Sequence, residues 1–107
     1  MFLGDNYKLK ILPDSIWDLK HLEVLDLNQI ELEYIPKKIE NLKSLKHLYL
    51  NYLAPEKCPL SIEKLKNLEV FQFNYLDEKC PKDVLEMVEV LKNRGVQVTT
   101  TDDLRIF

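Results

Sequence analysis

The chain has 107 residues, 46% of them apolar and 31% charged, with a formal net charge of −3 and two cysteines. That length allows one domain, 1–107, in which folding buries roughly 60–70% of the unfolded chain's surface, and the composition is that of a soluble globular protein rather than a disordered one. The balance excludes an electrostatic case for nucleic acid or an anionic membrane as partner, and two cysteines are too few for a disulfide-stapled secreted module.

The opening "MFLGDNYKLK" has neither a basic start nor a long apolar run, so it does not read as a signal peptide. No apolar stretch approaches the ~18–20 residues that cross a bilayer. A reducing, cytoplasmic compartment is the expectation. Aligned with the segments C-terminal to it, Met1 corresponds to Val24 and Phe2 to Leu25, so the chain starts inside a repeating unit. No capping helix precedes this first strand, and an uncovered edge strand invites pairing with another chain. A homodimer through the N-terminal edge is therefore an open possibility.

The next segment, "PDSIWDLKHL", spaces Ile16, Leu19 and Leu22 three apart, which suits a helical or 3₁₀ turn with one apolar face. Proline at its start is tolerated because its missing N–H has no partner there in any case. "LEVLDL" comes after it with Leu25 and Leu27 two apart, the alternation of a half-buried strand. This pair of elements then recurs at an offset of 23 residues. Leu22, Leu45 and Leu68 fall in one column; so do Leu25, Leu48 and Phe71, and Leu27, Leu50 and Phe73. Pro13, Pro36 and Pro59, then Ile16, Ile39 and Ile62, then Leu19, Leu42 and Leu65 give further columns, and Asp5, Asn28, Asn51 and Asn74 a polar one. Each unit is a strand, a turn and a short helical return. It cannot bury its own apolar edge, so neighbours must stack and extend a parallel sheet.

The last unit differs. Pro81 follows Pro59 by 22 residues, and from Asp83 to Asn93 the pattern predicts a true helix, with Asp83 as N-cap and Val84, Met87, Val88 and Leu91 on one face. Gly95 stands where a helix terminates. "VQVTT" at 96–100 predicts a final strand, and "TDDLRIF" offers Leu104, Ile106 and Phe107 as a lid over the last repeat.

These residues resemble the leucine-rich repeat family, in 23-residue repeats of the bacterial or Ras-suppressor-like type. Its pattern, L-x-x-L-x-L-x-x-N/C-x-L with an L-P-x-x-I-x-x-L tail, is similar to "LEVLDLNQIELEYIPKKIENL", and the resemblance covers about residues 1–91. It implies an α/β fold: a short leucine-rich-repeat solenoid (a horseshoe segment) with a parallel sheet of about five strands on the concave side. Helical or 3₁₀ returns form the convex side, with about 1–80 as repeats and 81–107 as a C-terminal helix–strand cap. Protein binding is the usual activity it implies. The sequence departs from the family at the buried asparagine position, which holds Tyr7, Ile30, Leu53 and Leu76. Asparagine stands directly after the strand instead, either bonding the turn or facing solvent.

Candidate chemistry is sparse. Cys58 and Cys80 share the apolar column of Leu12 and Ile35. That column explains them as buried thiols, with an opportunistic disulfide left open, and a 22-residue separation without nearby histidine matches no zinc pattern. His21 and His47 lie in different columns, and the only glycines, Gly4 and Gly95, cannot make a phosphate loop. No catalytic residue, metal ligand or cofactor is expected. What remains is the outward set on the strands: Val24, Asp26 and Asn28; His47, Tyr49 and Asn51; Val70, Gln72 and Asn74. Tyr52 and Tyr75 lie just beyond. Tyrosine and amide groups suit recognition, so the expected function is non-catalytic binding of a protein or peptide through the concave sheet. Alternatives are a self-associating structural module or an immunity-type antagonist of a toxin or enzyme. Lys43, Lys64 and Lys66 read as a solvated outer face.

Overall fold

The computed structural model describes residues 12–27, 32–50, 57–73 and 80–100. In chain order these hold a 3₁₀ turn η1 (Asp14–Asp18), strand β1 (Val24–Asp26), turn η2 (Lys37–Asn41), strand β2 (His47–Leu50), turn η3 (Leu60–Lys64), strand β3 (Val70–Phe73), helix α1 (Lys82–Asn93) and strand β4 (Gln97–Thr100). The strands form one parallel sheet in the order β1-β2-β3-β4. The fifth strand expected near the start falls in residues 1–11, outside the described residues. So do the Asn column with Asp5, the slot of Tyr7, Ile30, Leu53 and Leu76, and the tail expected to act as a lid.

The three-residue apolar spacing is the hydrogen-bond spacing of the turns. In the first unit Ile16 N–H donates to Pro13 O at 3.1 Å, Leu19 N–H to Ile16 O at 3.3 Å and Leu22 N–H to Leu19 O at 3.1 Å. The same chain of bonds runs Pro36–Ile39–Leu42–Leu45 and Pro59–Ile62–Leu65–Leu68. Bonds from i to i+3 eclipse side chains three apart, so the apolar column of each turn stands on one face. Proline takes the N-cap position, one place earlier than the first helical residue, with extended angles such as φ −62° and ψ 144° at Pro13. Its ring fixes the entry angle, and its carbonyl receives the first bond.

Stacking of the units closes the core. Leu25, Leu27, Leu48, Leu50, Phe71 and Phe73 point inward from the strands and are buried, as are Ile39, Ile62 and the sole tryptophan, Trp17. Phe71 and Phe73 stack with ring centroids 5.6 Å apart. Each unit is tied to the next at the strand entrance: Lys46 and His47 N–H both donate to Glu23 O, and Glu69 and Val70 N–H both donate to Lys46 O.

The register pairs Val24 with His47 and His47 with Val70, an offset of 23, but Val70 with Gln97, an offset of 27. The last unit, which reads as one residue short at its proline, is longer overall because α1 replaces a 3₁₀ turn. Val84, Met87, Val88 and Leu91 are its buried face, as the pattern predicts. Its start corrects one expectation: Pro81, not Asp83, is the N-cap, and the helix begins at Lys82. The Pro81 carbonyl accepts from Leu85 N–H at 3.1 Å, while Asp83 Oδ1 accepts from Val84 N–H at 2.9 Å. Asp83 therefore serves a first-turn amide and the positive helix end from inside the helix.

The helix closes with Gly95 at φ +93°. Gly95 N–H donates to Lys92 O and Val96 N–H to Leu91 O, both at 3.0 Å, a Schellman pair with buried Val96 beside buried Leu91. The preceding Arg94 reaches back 29 and 31 residues, donating to Leu65 O at 2.9 Å and also to Glu63 O. It thereby caps the carbonyl end of η3. Asn67 Nδ2 links the units one step earlier, donating to Lys43 O, just beyond η2, at 2.7 Å.

The core and the cap each carry a stability prediction. Leu48→Ala, at a fully buried central position, is expected to cost about 3 kcal/mol, read as a lower urea midpoint by Trp17 fluorescence. Arg94→Met is expected to cost about 1 kcal/mol, with faster hydrogen exchange concentrated in α1.

Candidate binding face

Alternation along each strand leaves every second side chain on the outward face, and parallel register lines these up into two rows. The first row is Val24, His47, Val70 and Gln97; the second is Asp26, Tyr49, Gln72 and Thr99. All are half-buried except exposed Gln97, as expected of side chains flanked by neighbours about 4.8 Å away on adjacent strands. Val24, Asp26, His47, Tyr49, Val70 and Gln72 thus share one surface. Asn28, Asn51, Tyr52, Asn74 and Tyr75 lie outside the described residues.

Gln97 and Thr99 are members of the face that the column arithmetic misses, because a 23-residue offset from Val70 and Gln72 does not reach them. The signal that finds them is the alternation of "VQVTT", where Val96 is buried and Val98 packs against the core.

Tyr49 occupies the middle of the second row. Its ring meets His47 edge-on, with centroids 6.3 Å apart at 77°, and its hydroxyl lies 3.4 Å from His47 Nδ1. With Tyr49 donating, the imidazole carries its hydrogen on Nε2. Both contacts set Tyr49 against its neighbour two residues earlier on the same face of β2.

Along the strand entrances runs a charged border, Glu23, Lys46 and Glu69, one residue from each unit. Lys46 Nζ is 3.0 Å from Glu23 Oε1. The hydrogen bond to Glu23, then the charges of Glu23 and Glu69, raise the Lys46 ammonium above its ordinary pKa. On the opposite side Lys43, Lys64 and Lys66 are exposed, and Lys64–Glu40 and Lys38–Asp14 pair at 3.6 Å between successive turns. A shallow groove of about 510 Å³ there is lined by Lys37, Pro59, Leu60, Ser61, Glu63 and Lys64.

Cys58 and Cys80 are buried thiols with no disulfide between them. Burial first, and then the neighbouring Cys80, push the Cys58 thiol up to about 12. A thiol held protonated at neutral pH is a poor nucleophile and a poor metal ligand. Among the described residues no group of three or more His, Cys, Asp or Glu is placed to hold a metal ion, and no helix is long and apolar enough to cross a membrane.

A family model described as a leucine-rich repeat region matches residues 2–103. No curated protein matches the chain.

The thiol gives a pH signature. Folded Cys58 keeps its proton to about 12, against an ordinary value of 9.0 in the unfolded chain. The contribution is whole below about pH 9 and is lost as pH rises toward 12, because the unfolded state then binds fewer protons. Urea titrations from about pH 8 to 10.5 should show wild type losing up to roughly 1.4 kcal/mol per pH unit relative to Cys58→Ala. Parallel pH curves for the two proteins would contradict this assignment.

Proposed function

Because the chain belongs to the leucine-rich repeat family, whose members generally mediate protein–protein interaction, we propose that it is a non-catalytic binding module that receives a protein or peptide on the outward face of its parallel sheet. In this reading residues 1–107 are one domain, a short solenoid whose outward face is the concave side.

The observation that carries the reading is the pair of rows across β1–β4, with Tyr49 half-buried at their centre and set against His47. A parallel sheet tied at every strand entrance is rigid, so the side chains are in place before a partner arrives. The rows divide the chemistry. Val24 and Val70 supply apolar contact on either side of His47, while Asp26, Tyr49, Gln72 and Thr99 supply hydrogen-bonding groups. Tyr49 combines both roles in one ring. Against catalysis stands the state of Cys58, protonated and shut away from solvent.

Size selects the kind of partner. Among the described residues, four strands spaced by about 4.8 Å span roughly 15 Å, and four residues of strand add about 13 Å in the other direction. That area is well below the ~800 Å² per partner of an ordinary interface. An extended peptide or a protruding loop fits; a broad flat surface does not.

Affinity capture from the source organism's lysate, followed by titration of the captured protein, tests the reading. Tyr49→Ala/Gln72→Ala is expected to weaken binding at least tenfold, about 1.4 kcal/mol, with an unchanged circular dichroism spectrum. Lys43→Ala/Lys66→Ala on the turn side is expected to bind as wild type does. Equal binding by the sheet variant, or loss confined to the turn variant, would move the interface off the sheet.

A further inference from the structure

The three turns are built alike but covered unequally. Leu42 and Leu65 are 0% and 1% exposed, whereas Leu19, in the same column, is 38% exposed. Leu45 and Leu68 are buried, and their counterpart Leu22 is only half-buried. Local conformation does not account for the difference. Leu19 and Leu22 make the same i to i+3 bonds as their counterparts, at 3.3 and 3.1 Å. What differs is that η2 has a turn packed on each side, η1 and η3, whereas among the described turns η1 packs only against η2.

Leu19 and Leu22 open into a groove of about 420 Å³ completed by Asp18, Lys20 and His21. Asp18 and Lys20 flank Leu19 in the chain with opposite charges, and both are exposed. Neither joins the ion pairs that link successive turns, Asp14–Lys38 and Glu40–Lys64. A surface with an apolar centre and one charge of each sign is complementary to itself across a two-fold axis. We infer that this end of the stack is an interface between two copies of the chain. Leu19 and Leu22 of each copy meet at the axis, and Asp18 of one copy faces Lys20 of the other.

The far end of the array explains why the association closes. There α1 packs on η3 and β4 pairs with β3, so the turn ridge of η3, unlike that of η1, has a helix laid over it. Only the Leu19 end is open among the described turns, and two such ends meeting give a closed dimer rather than a filament. The surface lies on the turn side, away from Tyr49 and Gln72, so the inference stands independently of the binding reading above.

Sedimentation equilibrium of the full chain over roughly 1 to 500 μM tests it. Wild type should show a monomer–dimer equilibrium. Asp18→Lys, Lys20→Asp and Leu19→Glu should each weaken association at least tenfold, and Asp18→Lys/Lys20→Asp should recover wild-type affinity to within about threefold. All three positions are exposed, so circular dichroism and Trp17 emission should stay unchanged and report on folding. Tyr49→Ala/Gln72→Ala should dimerise as wild type does. A wild type that stays monomeric over this range, single reversals without effect, or a charge swap that fails to restore association would each overturn the inference.

Discussion

A backbone bonded from each residue to the third one before it cannot distribute its side chains around an axis; it lines them up. That restriction, imposed at Pro13–Leu22, Pro36–Leu45 and Pro59–Leu68, gives each return segment a single apolar ridge one residue wide. Such a ridge is too narrow to bury itself, and a five-residue turn has too few internal bonds to persist alone. Its stability comes from a second ridge laid beside it. The parallel sheet, the stacked turns and the shared core all follow from this need for a lateral neighbour.

The same restriction arranges the outward face. Equal turns advance equal strands, so each strand presents the residue one register step along from its neighbour, and rows form without further specification. Where α1 replaces the turn, the strand still arrives in register, but only after 27 residues rather than 23. The extra length is taken up by the helix, whose face Val84, Met87, Val88 and Leu91 is broad enough to cover η3. The helix covers η3, and Arg94 shows how the carbonyl end of that turn is satisfied by a side chain from the helical unit.

Much of this was legible in the residues because repetition tests itself. The columns located the three turns and strands β1 to β3, the inward pairs from Leu25–Leu27 to Phe71–Phe73, and six residues of the face. Local chemistry located Gly95 and the buried stripe of α1. The misses have two kinds of cause: some were readable from local pattern but not from the columns, and others depend on where a backbone sits relative to distant neighbours. Asp83 is a good N-cap residue by type, but Pro81 already held the extended angles of the cap. Gln97 and Thr99 fall outside the 23-residue arithmetic. Arg94 reads as an ordinary basic residue at a helix end, and nothing local reveals that it serves η3. Leu19 is indistinguishable from Leu42 and Leu65 in sequence; only the packing around it separates them.

The alternating border of Glu23, Lys46 and Glu69 bears on how such a chain finds its register while folding. Near-identical units carry a particular hazard, since a strand can dock on the wrong copy of its partner and satisfy almost the same contacts. Omitting the middle unit would set Glu23 against Glu69, two carboxylates where the native order places an ammonium between them. The apolar columns discriminate that error only by size, because Phe71 and Phe73 would stand beside β1 where Leu48 and Leu50 belong. The charges discriminate it by sign, through repulsion at the strand entrance. In a chain whose core repeats, the surface keeps count.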